Sequence, residues 1–118
     1  MTILLICETA IIEHIFTLVC KRLHINLTIQ KTNSVNDRFD LIIIDQSFID
    51  DKFNTIKQFS KKLGAISSEE LSFDKSRDFI IQRPFLPTKL EEILIEQIEI
   101  IKEEKAKEKE LLSHKYQE

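Results

Sequence analysis

Four apolar runs in this chain end on residues able to do chemistry. "ILLI" (residues 3–6) leads into Cys7 and Glu8, and "LIII" (41–44) leads into Asp45. "GAI" (64–66) leads into Ser67 and Ser68, and "FIIQ" (79–82) leads into Arg83, Pro84 and Phe85. A strand end that needed only a turn could use Gly, Asn or Asp. A guanidinium placed before a proline at the end of a buried strand points instead to negative charge nearby. Glu8 and Asp45 are the acids that other strand ends can supply, and Ser67 and Ser68 bring hydroxyls.

The elements that must position these groups follow from hydrophobic spacing. Residues 3–6 read as a strand buried on both faces. From Thr9, a candidate N-cap, to Leu23 the apolar residues recur at helical spacing. "INLTIQ" (25–30) alternates and reads as a strand near a sheet edge, and "TNSVNDRF" (32–39) is polar, with room for one helical turn. "DLIIID" (40–45) is the pattern of a central parallel strand that delivers Asp45 to the carboxyl edge. Phe53, Ile56, Phe59 and Leu63 predict a helix of about three turns, with Asp50 and Asp51 at its positive end. "GAIS" (64–67) is a minimal strand, "SEELSFDKSRD" (68–78) holds at most a short helix, and "FIIQ" is a buried strand. A long helix starts at Thr88. This alternation specifies an open parallel sheet covered on both faces, with ligands outside the carboxyl ends of the strands. Glu8, Asp45, Ser67, Ser68 and Arg83 are all assigned to that edge.

Composition narrows the field. One domain is expected from 118 residues, and a net charge of -3 gives no basic footprint for nucleic acid. No apolar run is long enough to span a bilayer and the N-terminus lacks a basic signal region, so the chain reads as cytoplasmic, with Cys7 and Cys20 unpaired. The single glycine, Gly64, leaves no phosphate-cradling loop, which excludes the usual kinase, ATPase and dinucleotide-dependent chemistries. Cys20 and His24 are four apart, as metal ligands on a helix sometimes are, but no second such pair completes a zinc site.

In order and placement, "ILLICE", "LIIID", "AISS" and "RPF" resemble the receiver domain of bacterial two-component response regulators over residues 2–101. The resemblance implies a flavodoxin-like, five-stranded parallel sheet of order 2-1-3-4-5. It makes Asp45 the phosphoacceptor-equivalent residue and assigns Glu8 and Asp45 to a Mg²⁺ ion. Ser67 or Ser68 takes the hydroxyl position, and Arg83-Pro84 stands where the family has lysine and proline, a bond that the family typically holds cis. In such a site metal and cation neutralise the phosphoryl group as the aspartate attacks. No other cofactor is implied.

The departures are specific. Cys7 stands where the first acid belongs, and a thiol is a soft ligand unsuited to Mg²⁺. Arg83 replaces a compact ammonium with a planar fork, better suited to a fixed salt bridge with Asp45 or Glu8. Ile80 occupies the place of the family's switch aromatic, with Phe79 one position off. The short segments after the second and fourth strands leave those helices shortened or missing. The sequence therefore reads as a degenerate receiver, residues 1–101, with a charged helical extension, residues 102–118. In the extension Glu103 and Lys107 are spaced for a helical pair, and Ile95 and Ile100 leave apolar surface beside it.

Three functions are consistent with this reading. The first is a stand-alone, largely phosphorylation-independent interaction module with no catalytic residues, whose partner is a histidine kinase or another signalling protein. The second is a true phosphoacceptor using Asp45 with Mg²⁺. The third is an assembly subunit, a homodimer included, that uses the long C-terminal helix.

Overall fold

In the computed structural model, residues 1–50, 53–68, 78–83 and 85–116 are described, with side chains omitted at 53–54 and 108–116. Five strands, β1 (Thr2–Ile6), β2 (Asn26–Gln30), β3 (Phe39–Asp45), β4 (Ser60–Ser67) and β5 (Phe79–Gln82), form one sheet of order β2-β1-β3-β4-β5. Every pairing is parallel. The helices are α1 (Ala10–Arg22), α2 (Phe53–Lys57) and α3 (Pro87–Tyr116). The order reverses at β1, which pairs β2 on one side and β3 on the other. The ends of β1 and β3 therefore flank the crevice in which such sheets hold ligands.

Alternation along the strands separates two apolar layers. Ile3, Leu5, Leu41, Ile43, Ile66 and Ile81 face α1 and α3, where Phe16, Val19, Leu90, Leu94 and Ile101 complete the packing. Leu4, Ile6, Ile42, Ile44, Leu63 and Ala65 face the other way, against Ile56. Loops help to cover that second face. Val35, Phe48 and Ile49 pack on it, and Asn33 Nδ2 donates to Phe48 O at 3.3 Å and to Asp50 Oδ2 at 2.8 Å, joining two of the loops.

The long helix predicted across Phe53 to Leu63 is not formed. α2 has five residues, Phe59 lies in a turn, and Leu63 sits inside an eight-residue β4 that is twice the length of "GAIS". The ladder explains the outcome. Phe39, Leu41 and Ile42 of β3 pair with Ser60, Lys62 and Leu63, so extending this stretch satisfies the backbone of a fully buried strand. Ile56 and Leu63 still meet in one layer, so the helical spacing was coincidental. Asp50 accepts from Asn33, and Asp51 lies outside the described residues. The segment 31–38 contains no helix, as its shortness implied, whereas the helix assigned to the fourth connection falls at 69–77, outside the described residues.

Gly64 serves packing. It pairs with Phe79, and a Cβ built there would lie 2.6 Å from that ring, so the lack of a side chain lets the ring cross β4.

α1 ends in a six-to-one, five-to-two capping pattern. Ile25 N donates to Cys20 O at 2.8 Å and His24 N to Lys21 O at 3.4 Å, while His24 takes the left-handed φ of 56°. The Cys20–His24 spacing thus marks a helix C-terminus, with Cys20 buried and His24 exposed. At the other end Thr9 holds the N-cap position, but its side chain makes no capping hydrogen bond. Replacing His24 with Gly removes the left-handed strain at an exposed site. It should raise unfolding stability by about 0.5–1 kcal/mol, read from the denaturant midpoint at unchanged slope.

Candidate functional site

Asp45 ends β3 and is 4% exposed, the deepest carboxylate at this edge of the sheet among the described residues. Its two oxygens have separate duties. Oδ1 accepts from Ser47 N at 3.1 Å and Ser47 Oγ at 3.3 Å, capping the short 3-10 turn Gln46–Phe48. Oδ2 forms an ion pair with Arg83 Nη2. Arg83 lies two strands away, beyond β4, and its backbone is fixed there because Arg83 N donates to Ser67 O at 3.1 Å. The guanidinium side chain is 38% exposed, so the pair has one buried partner and one at the rim. Of the two acids offered by the sequence, Arg83 therefore takes Asp45.

Ser67 ends β4 fully buried, and its hydroxyl donates to Gln46 Oε1 at 3.0 Å, one residue from Asp45. Ser68 is exposed. Glu8 is also exposed and makes no hydrogen bond or ion pair among the described residues. Pro84 lies outside the described residues. Phe85 turns inward and meets the Phe16 ring edge-on, with centroids 6.2 Å apart at 82°. The tripeptide after β5 therefore sends a cation to Asp45 and an aromatic ring to α1.

Cys7 directly follows β1 and has no exposed surface. Burial pushes its thiol up to about 11. The Thr9 backbone hydrogen bond and Arg83 oppose the rise, while the charges of Glu13 and Asp45 add to it. The side chain is thus a neutral thiol at neutral pH, where a carboxylate would carry charge. Burial likewise pushes Cys20 up to about 11. Among the described residues no group of three or more His, Cys, Asp or Glu is placed to hold a metal ion.

Sequence reasoning missed three participants. Gln46 and Ser47 follow the acceptor-like position and engage Ser67 and Asp45 directly, but polar residues after a strand look like any loop. Glu13 did leave a signal. It adjoins Ile12 within the buried stripe of α1, and its Oε1 is buried without a hydrogen-bond partner. Beside the ion pair, Thr9, Ile11, Ile12, Ile15, Arg83 and Phe85 line an open, mainly apolar groove of about 290 Å³, in which Ile11 is 68% exposed.

An all-parallel sheet with its polar strand ends gathered at the carboxyl edge places the chain among the doubly wound α/β proteins. Comparison with solved structures sharpens the class. A response regulator from Thermotoga maritima is 18% identical and superposes with a TM-score of 0.67, over 83% of this chain and 97% of that one. The receiver domain of the sensor histidine kinase PA1611 from Pseudomonas aeruginosa, solved with magnesium in its active-site cleft, is 17% identical at a TM-score of 0.60, over 82% and 96%. The Vibrio cholerae chemotaxis protein CheY4 is 14% identical at 0.56, over 80% and 96%. No family model and no curated protein matches the sequence. The chain is a receiver-like domain by fold.

Both thiols should resist iodoacetamide in the native chain from pH 7 to pH 9, because each folded value lies near 11 and the reactive thiolate stays scarce. In denaturant both should alkylate fully. Intact mass after timed exposure reads the difference, and rapid labelling of the native chain would contradict the burial described.

Proposed function

We propose that this chain is an atypical receiver that acts as a signalling interaction module, without enzymatic activity of its own and with little or no dependence on phosphorylation. The ion pair between Arg83 and the buried Asp45 carries the reading. A phosphoacceptor must present a carboxylate oxygen to the incoming phosphorus while a metal ion and a cation neutralise the phosphoryl charge. Here one oxygen caps a turn and the other is held by the guanidinium. Glu8 is exposed and makes no hydrogen bond or ion pair with Asp45 or Arg83 among the described residues, and the neighbouring Cys7 contributes a neutral thiol where the family has an acid. Asp45, Ser67 and Arg83 then serve as a fixed remnant of a phosphate site.

A module of this kind acts through contacts, and two exposed apolar regions support that role. One is the groove beside Arg83, with Ile11 and Phe85 on its walls. The other is on α3, where Ile95 is 40% exposed and Ile100 is half-buried on a different face. The partner is a signalling protein such as a histidine kinase, in the cytoplasm; among the described residues no helix is long and apolar enough to cross a membrane.

The test is chemical. Incubation with acetyl phosphate and Mg²⁺, followed by intact mass, should leave the chain unmodified. A gain of one phosphate that vanishes in Asp45→Asn would establish the phosphoacceptor reading instead, with Glu8 and Asp45 holding the metal.

A second reading, assembly through α3, is favoured by its length. The helix runs on to Tyr116, and the side chains from Lys102 to Lys107 are all exposed. The Glu103–Lys107 pair suggested by the spacing is not formed; Lys105 instead pairs with Asp40 at the foot of β3. Sedimentation of the full chain against one ending at Ile101 should show a lower mass for the truncated form if α3 assembles copies. Identical masses would refute this second reading.

A further inference from the structure

Among the described residues five large apolar side chains are exposed. Four of them, Ile11, Leu18, Leu86 and Ile95, belong to α1, to α3 or to the residue just before α3. The two helices cover the same apolar layer of the sheet, and Arg22 Nη1 of α1 meets Glu91 Oε2 of α3 at 3.4 Å. Helical spacing sets the exposed residues beside that bridge. Ile11, Leu18 and Arg22 fall on one stripe of α1, so this stripe leans toward α3. Ile95 follows Glu91 by one turn and leans toward α1. The half-buried Ile15 and Ile98 join both stripes to the core. The groove at Ile11 and the exposed Ile95 are therefore parts of one face.

Charge on this face is sorted by helix. His14, Lys21 and Arg22 are exposed on α1, whereas Glu92, Glu96 and Glu99 form an exposed acidic stripe on α3. Lys89, 3.9 Å from Glu92, and Lys102 stand at the ends of that stripe. Arg22 is taken by Glu91. Lys21, Glu96 and Glu99 make no ion pair among the described residues. A twofold axis would bring α1 of each copy onto α3 of the other. It would set Ile11 and Leu18 against Leu86 and Ile95, and give Lys21 the unanswered acids Glu96 and Glu99. A foreign helix of either sign answers only half of this face, while a second copy answers both halves at once.

We propose that this face is the contact between two copies of the chain, with α1 of each laid on α3 of the other and Ile11, Leu18 and Ile95 at its centre. A second copy is then the occupant of the apolar surface through which the module acts, a deepening of the function proposed above. Phosphate uptake at Asp45 bears on none of these residues, so treatment with acetyl phosphate and self-association can fail separately.

Sedimentation equilibrium of the full chain, from low to high micromolar concentration, should show a passage from monomer to dimer. Leu18→Glu and Ile95→Glu each place an acid in the apolar centre and should raise the dissociation constant by at least about tenfold. Lys21→Glu and Glu96→Lys should each weaken the dimer, and the double variant should recover most of the loss. A melting curve for each variant confirms that it is folded, and Ile11→Glu, at a more exposed position, replaces Leu18→Glu if that variant is not. The chain ending at Ile101 should still dimerise, because the named contact residues all precede that point. Loss of the dimer on truncation would move assembly to the extension and overturn the proposal. So would a chain that stays monomeric throughout, a dimer indifferent to both acid substitutions, or a double charge variant no tighter than the single ones.

Discussion

A carboxylate buried at the end of a central strand must have its charge answered, and in this protein the answer comes from a guanidinium two strands away. Leaving Asp45 unanswered would strand an anion among apolar side chains. The rim arrangement follows from that need. β4 must be long enough to bring Ser67 between the two partners, and Arg83 must leave β5 at a fixed height, which its backbone bond to Ser67 ensures. Because Arg83 stays partly in water, the pair contributes less than a fully enclosed ion pair would, toward the low end of the roughly 1.5–3 kcal/mol of a hydrogen bond to a charged group.

The same pair decides what the pocket can do. A compact ammonium on a flexible stem can exchange partners as charge arrives and leaves. A planar fork anchored against a capped carboxylate loses geometry if it moves. On the proposed reading, the receiver-like fold is kept while the Asp45–Arg83 pair holds the strand-end site in one arrangement. The scaffold itself rests on the two apolar layers, which place no demands on the strand ends beyond position.

Much of the architecture was legible because central parallel strands are unambiguous. Four consecutive aliphatics before Asp45 leave little alternative to a buried strand, and the run before Arg83 behaves similarly. Periodicity failed between Phe53 and Leu63. There a short helix and a strand were joined in a spacing that also suits one continuous helix, and only the ladder with β3 breaks the tie. At the site, the partner of Arg83 was legible as a choice between two acids. The capping role of Ser47 and the contact between Ser67 and Gln46 were not, since both depend on how the chain turns after β3. The Cys20–His24 spacing had a backbone meaning that side-chain chemistry did not suggest.

The pin between Lys105 and Asp40 gives the last helix the mechanics of a lever. Its near arm lies against the sheet through Leu90, Leu94 and Ile101, and its far arm continues to Tyr116, roughly 16 Å past the pivot at the usual helical rise. A tilt of about 10° around Lys105 would swing that tip by about 3 Å. Small displacements of the pivot, whatever drives them, are therefore magnified at the outer end of the helix.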